Sequence, residues 1–285
     1  MSSLEQHFPD KRVLITGTTS GLGRALAIEF GSRGWRVAVT GLDPAGVKET
    51  ADAVRAAGGA PLEMILDVTR PGDFEAAAKR ITDEWQGLDV LVNNAGVADG
   101  GRMEGGLTLE NWRLLMDVNV WSVIYGCRTF IPVLKRGGKG HILNVASGAG
   151  LLCLPEMANY NATKAAVVAI SETLKTELIV DNIDVTVSCP TAFQSNIANN
   201  ERVRQCTSVA AKGIMEEIRK SKVTAESVAR YTIRSMEAGK LYSLPQADAR
   251  LMWAISRWMP EAYRNLVTWL FNKRLWLFAP GARAG

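Results

Sequence analysis

The sequence predicts an α/β fold: a doubly wound parallel sheet in a single domain, followed by a helical C-terminal extension. Three observations predict it. Short β-branched runs alternate with longer segments of helical period up to about Pro245, the rhythm of a parallel sheet with helices on both faces. A glycine-rich turn, Thr16–Gly23, follows the first run, where a strand hands over to a helix. No Pro/Gly/Ser linker and no internal repeat divides the chain, and composition shifts only after Pro245, where tryptophan becomes dense. The expected organisation is an α/β domain over residues 1–245 and an aromatic-rich helical extension over 246–285.

The elements follow in order. Lys11–Thr16 reads as the first strand, and Gly21–Arg33 as a helix with Leu22, Ala25, Leu26, Ile28 and Phe30 on its apolar face. Trp35–Thr40 is the second strand. Pro44–Ala57 is a helix opened by proline and closed by Gly58-Gly59. Pro61–Leu66 is the third strand, Pro71–Trp85 a helix and Leu88–Asn93 the fourth strand. One long helix is expected within Leu109–Lys135, then strand Gly140–Ala146, helix Glu156–Val180 and strand Ile183–Cys189. Thr191–Lys222 is polar and irregular at first, then helical. Thr224 caps a helix that Gly239 stops, Leu241–Leu244 is a last short strand, and two helices broken at Pro260 complete the chain.

Composition narrows the function. With 285 residues, 47% of them apolar, the chain can bury a large core without disulfides or metals. A net charge of +4 with no dense Lys/Arg run argues against a nucleic-acid partner. Two histidines and four cysteines, none in a Cys-x-x-Cys pair, argue against a metal site or a redox dithiol, and buried reduced thiols are expected. The first ten residues carry no apolar leader core, and no stretch reaches the roughly 18 apolar residues of a membrane span. A cytoplasmic protein is expected.

The turn Thr16-Gly17-Thr18-Thr19-Ser20-Gly21-Leu22-Gly23 has Gly-x-x-x-Gly-x-Gly spacing. Glycines let the backbone turn sharply and approach a pyrophosphate, and the amides of the next helix point partial positive charge at it. A strand-to-helix turn without a ligand has the same form. Asp67-Val68 ends the third strand, where a carboxylate can accept from an adenine amino group. Asn93-Asn94-Ala95-Gly96 ends the fourth, where small and amide side chains leave room for a cofactor and tie strands together. Each alone also fits a plain turn. Together they fall at the carboxyl ends of consecutive strands, where open α/β sheets bind ligands.

Tyr160 and Lys164 stand four apart on a predicted helix and share a face. A tyrosine, with a pKa of about 10, is a poor base near neutrality, and a nearby ammonium favours its phenolate. A solvated surface pair has the same spacing. Ser147 ends the fifth strand, where its hydroxyl can donate to a substrate oxygen, and Asn119 lies in the long helix after the fourth.

The set Thr16-Gly17-x-x-x-Gly21-x-Gly23, Asn93-Asn94-Ala95-Gly96, Asn119, Ser147 and Tyr160-x-x-x-Lys164 resembles the classical short-chain dehydrogenase/reductases, in order, over roughly residues 10–245. The resemblance implies a Rossmann-type dinucleotide-binding and catalytic domain. It also implies catalysis by four residues: Tyr160 as proton donor or acceptor, Lys164 lowering its pKa and holding the nicotinamide ribose, Ser147 orienting the substrate oxygen, and Asn119 supporting a water chain to Lys164. The expected cofactor contacts are Gly17, Thr19, Ser20, Gly21, Leu22, Gly23, Asp43, Asp67, Val68, Asn94, Ala95, Gly96, Tyr160, Lys164, Pro190 and Thr191. The cofactor is NAD(H) or NADP(H). Members that prefer NAD place an acid at the position of Gly41, and those that prefer NADP an arginine at about Leu42. Both are missing, and Asp43 comes two residues late, where it also fits a helix-leading cap. The preference stays open. Pro190-Thr191 replaces the usual Pro-Gly, and Ser195-Asn196 offer polar contacts nearby. The resemblance further implies a homodimer or homotetramer through the helices at Leu109–Lys135 and Glu156–Val180.

The expected function is an NAD(P)-dependent alcohol dehydrogenase or carbonyl reductase acting on a mostly apolar small molecule. The alternative is a cofactor-binding redox-sensing or scaffold protein without turnover, and an isomerase or dehydratase is a weaker third reading. A relative without turnover is expected to lack Tyr160, Lys164 or Ser147, and all three are present. The extension carries Trp253, Trp258, Trp269 and Trp276 with Tyr263, Phe271 and Phe278, interspersed with Arg250, Arg257, Arg264, Lys273 and Arg274. It fits packing on the core or a partner subunit, a wall over an apolar substrate, or a peripheral membrane contact.

Overall fold

In the computed structural model, which describes residues 3–195 and 209–275, the β-branched runs assemble into one parallel sheet. Its strands are β1 (Arg12–Ile15), β2 (Arg36–Gly41), β3 (Ala60–Ile65), β4 (Val90–Asn93), β5 (Gly140–Val145), β6 (Ile183–Ser188) and β7 (Tyr242–Ser243). The order is β3-β2-β1-β4-β5-β6-β7. Strands β1, β4 and β5 are buried at every position, which is why they read as continuous apolar runs. At the edge, β3 alternates, with Leu62 and Met64 buried and Ile65 exposed. The order reverses between β1 and β4, and this switch point opens a crevice at the carboxyl ends of the strands.

The helices are α1 (Leu4–His7), α2 (Gly21–Ser32), α3 (Pro44–Ala56), α4 (Pro71–Trp85), α5 (Leu109–Met116), α6 (Ser122–Arg136), α7 (Ala149–Leu152), α8 (Ala158–Glu177), α9 (Val209–Lys220), α10 (Ala225–Glu237), α11 (Ala247–Trp258) and α12 (Pro260–Asn272). Two cores cover the sheet. Phe30, Val54 and Ile233, from α2, α3 and α10, fill one. Phe74, Phe130 and Val167, from α4, α6 and α8, fill the other.

Two local expectations are corrected, and two short helices are added. The long helix at Leu109–Lys135 is interrupted by a π-helical turn, Asp117–Trp121, between α5 and α6. One wide turn shifts the helical phase too little to show in an apolar pattern. The helix expected from Glu156 starts at Ala158, because Glu156 stands at φ +58°. The one-turn helix α7 had no sequence signal. The N-terminal residues, to which the sequence reading assigns no element, form α1, capped by Ser3, with Leu4 and Phe8 buried.

The extension breaks at Pro260, the first residue of α12. It rests on the chain's own domain. The Tyr263 hydroxyl donates to Leu152 O (3.1 Å), the Arg264 guanidinium donates to Leu152 O and Cys153 O, and the Trp253 ring lies 4.8 Å from that of Tyr242. Asn196, Cys206, Trp276 and Phe278 lie outside the described residues.

Candidate active site

A cavity of about 1380 Å³ opens at the carboxyl ends of the strands. The glycine turn forms one end. Gly17 stands at φ +69°, and a Cβ there would fall 2.9 Å from Ala95 Cα, while one on Gly23 would fall 2.2 Å from Gly17 O. Any side chain would therefore spread the turn. The Thr16 hydroxyl accepts from the amides of Asn94 (2.9 Å) and Ala95 (3.0 Å), and Asn94 Nδ2 donates to Thr16 O (2.8 Å) and Gly17 O (3.0 Å). The Asn94 amide thus braces the turn from beneath. Helix α2 follows the N-cap Ser20, whose side chain makes no cap bond, so its first amides face the cavity with the donors an anion takes. A close-packed glycine cradle with uncapped amides fits a dinucleotide pyrophosphate.

Gly41, Leu42 and Asp43 border the cavity beyond β2. Both Asp43 carboxylate oxygens cap α3, accepting from Ala45 N (3.1 Å) and Gly46 N (3.0 Å), as its place before Pro44 allows. Leu42 is 65% exposed. Val68 lines the cavity, whereas Asp67 is not among its lining residues. The Asp67 carboxylate accepts from Thr69 N (2.9 Å) and Thr69 Oγ1 (2.7 Å), and these bonds hold its pKa below the usual value.

Across the cavity, Ser147, Tyr160 and Lys164 converge. Helix α7 turns back after β5 and lies against α8 at Gly150, where a Cβ would come 2.5 Å from the Lys164 carbonyl carbon. Lys164 Nζ donates to Val145 O (3.0 Å) and lies 5.9 Å from the Tyr160 ring centre. Burial pushes the Tyr160 phenol up, against a hydrogen bond with Ser147 that acts downward. Both groups are buried, and withdrawal from water disfavours each charged form. For the same reason Lys164 is lowered to about 8, with buried Cys189 acting upward.

Asn119 sits on the π turn, fully buried, outside the cavity lining. Its Oδ1 accepts from Val97 N (2.8 Å), and its Nδ2 donates to Val97 O (2.9 Å) and Thr163 Oγ1 (3.1 Å). Its side chain therefore fastens the segment after Gly96 to α8. Asn93 Nδ2 donates to Asn144 Oδ1 (2.9 Å), tying β4 to β5 as expected.

Three site residues escaped the sequence reading. Asp99 is buried and accepts from Gly100 N (2.8 Å), Asn111 Nδ2 (2.8 Å) and Asn159 Nδ2 (3.1 Å). Asn159 Oδ1 in turn accepts from Tyr160 N (2.8 Å), so a buried carboxylate positions the first turn of α8. Gln246 Oε1 accepts from Thr191 N (3.1 Å), joining the loop after β6 to the start of the extension. A polar residue beside Tyr160 is the only signal the sequence offers, and it reads equally well as a solvated helix position.

A dinucleotide-shaped cradle facing Ser147 and the buried Tyr160 and Lys164 across one crevice fits an oxidoreductase of the α/β class. The chain belongs to the short-chain dehydrogenase/reductase family, whose short chain dehydrogenase model matches residues 11–205. It is 31% identical over 272 residues to the "Probable oxidoreductase EphD" of Mycobacterium tuberculosis, a match that takes 91% of this chain but spans about half, 45%, of that relative. It is 28% identical over 278 residues to 11-beta-hydroxysteroid dehydrogenase A of Sesamum indicum, covering 95% of this chain and 77% of that one. The crystal structure of a short chain dehydrogenase/reductase from Burkholderia phymatum in complex with NAD superposes with a TM-score of 0.81 at 30% identity, over 88% of this chain and 94% of that one.

Proposed function

We propose that the chain is an NAD(P)-dependent oxidoreductase that interconverts a secondary alcohol and a ketone on a bulky, mostly apolar molecule. The observation that carries this reading is the cavity. At about 1380 Å³ it exceeds the roughly 300–1,000 Å³ of a single small-molecule site, so it holds a cofactor and a substrate side by side. Its walls beyond Ser147 and Tyr160 are Leu152, Leu154, Met157 and Met252. A relative named for hydroxysteroid chemistry supports a substrate of that bulk.

The dinucleotide, when bound, exchanges the hydride. In the reducing direction Tyr160 donates its phenolic proton to the substrate oxygen, Ser147 donates a hydrogen bond to that oxygen, and Lys164 stabilises the phenolate left behind. The oxidising direction needs Tyr160 deprotonated. Since burial favours the neutral phenol, reduction should be steady near neutrality and fall at alkaline pH, while oxidation climbs with pH. Initial rates across pH in both directions, followed by nicotinamide absorbance over bulky ketones and alcohols, test this. Oxidation that weakens as pH rises contradicts the assignment. Cofactor binding without turnover on every substrate would return the chain to a cofactor-binding scaffold.

Cofactor preference should yield to one substitution. A Cβ on Gly41 would meet Thr19 Cγ2 at 2.6 Å, so an acid there displaces Thr19. Leu42 is exposed at the cavity rim and has room. Leu42→Arg should lower KM for NADPH roughly tenfold, the worth of a hydrogen bond to a charged group, and leave KM for NADH nearly unchanged. Equal changes for both cofactors would contradict this placement of the adenosine ribose.

Trp121 and Met116, exposed on the α5–α6 side and with Trp121 stacked on Tyr125, support a two-fold homo-oligomer, dimer or tetramer, through these helices and α8. Light scattering should give a multiple of the chain mass, and a stable monomer at micromolar concentration overturns it. Cys127 and Cys189 are buried, whereas Cys153 is exposed, against the expectation of buried thiols; the cytoplasm is the compartment proposed.

A further inference from the structure

We propose that the outer face of α11 and α12 is a docking surface for an anionic lipid membrane, leading into the substrate end of the cavity. On α11 the exposed positions include Leu251, Ala254 and Trp258, and on α12 Ala262, Leu266 and Trp269, followed by the C-cap Lys273, each set spaced three or four apart along one helix face. Trp258 is 86% and Trp269 52% exposed. Indole rings held in water beside leucine match the interface of a bilayer, where one edge is apolar and the other wet. Among the described residues no helix is long and apolar enough to cross a membrane, so the contact lies in the interface plane.

Charge selects the partner. Residues 246–285 carry six Lys/Arg (250, 257, 264, 273, 274 and 283) against Asp248 and Glu261, a net +4 that equals the net charge of the whole chain. The preceding 245 residues are therefore neutral overall. Among the described residues Arg257 lies 3.9 Å from Glu172, Arg250 and Arg264 donate to backbone carbonyls, and Lys273 and Arg274 are exposed. A second copy would pair this face with itself across a two-fold axis and set like charge against like. Anionic headgroups complement it. The surface also reaches the site: Leu251, 63% exposed, and its neighbour Met252 line the cavity. An apolar substrate dissolved in the bilayer thus meets an apolar rim at the cavity mouth.

Flotation with vesicles of equal parts phosphatidylglycerol and phosphatidylcholine tests the surface, with pure phosphatidylcholine vesicles and high salt as the other arms. The full chain should float with the anionic vesicles and bind at least tenfold less to neutral ones or in high salt. Trp258→Glu with Trp269→Glu should weaken binding by roughly tenfold per tryptophan. Neither residue lines the cavity, so turnover of a small water-soluble carbonyl should be unchanged, which also reports that the variant folds. Wild-type protein that fails to float, or floats equally with both vesicles at any salt, overturns the proposal. A double variant that loses oligomer mass while lipid binding persists overturns it too, and makes the face a subunit contact. Turnover is read separately from flotation, so failure of the oxidoreductase reading and failure of the membrane surface remain distinct results.

Discussion

Tyr160→Phe should cut turnover by a factor on the order of 10²–10⁴, the usual loss when a positioned general acid–base group is removed, while the folded chain persists. The ring packs with Ala98, Leu115, Met157 and Ile218, and phenylalanine keeps every one of those apolar contacts. The hydroxyl is what disappears, and with it the hydrogen bond to Ser147 and the proton for the substrate oxygen. Burial already holds that group neutral, so the substitution removes no charge and leaves no buried ion without a partner. Cofactor affinity should stay within a few-fold of wild type, because the cradle of Gly17, Gly23 and the α2 amides lies across the cavity. Single-turnover kinetics and a dinucleotide titration on the same preparation separate the two effects. A phenylalanine variant with near-normal turnover would mean that another group handles the proton.

The sheet was legible because its strands obey simple chemistry. Central strands buried on both faces must be continuously apolar, and β1, β4 and β5 are. Each handover is punctuated by Gly or Pro, as at Gly58-Gly59 and Pro71. The π turn at Asp117–Trp121 was not legible, since its cause is tertiary: Asn119 is drawn inward to satisfy both polar groups of Val97 and the Thr163 hydroxyl. Helix α7 is likewise made by contact, lying on α8 at Gly150 and pinned from outside by Tyr263.

At the site, residues that must be glycine, or that pair at helical spacing, could be named in advance. Residues that act through another side chain could not. Asp99 positions Tyr160 through Asn159 across sixty residues of sequence, and no local pattern marks such a relay. The same limit applies to the sign of the Tyr160 shift. Spacing places a lysine beside a tyrosine, but only the fold determines that both are buried, and burial is the largest influence on each.

Lys164→Met should stabilise the chain while abolishing its activity, and the two effects have one cause. Lys164 is buried and lowered to about 8 from an ordinary 10.5, so its ammonium is held at a loss in the folded state. Below pH 8 it is charged in both states and the burial penalty stands in full. Between 8 and 10.5 the unfolded chain binds a proton that the folded chain does not, so stability rises with pH across that window. A shift of this size corresponds to about 3 kcal/mol. Methionine keeps a buried apolar stem and drops the charge. At neutral pH the variant should gain roughly 1–3 kcal/mol, a rise of several degrees in Tm for a chain of this length, and the gain should shrink as pH approaches 10.5. Turnover should fall by a factor on the order of 10²–10⁴, since the charge that stabilises the phenolate of Tyr160 is then gone. Thermal melts at neutral and alkaline pH, set beside kcat, make the test. A methionine variant that melts lower at neutral pH would show that the ammonium supports the fold instead of straining it. The expected opposition, higher melting with lost turnover, would show that the chain retains a buried charge for the reaction at the expense of its own stability.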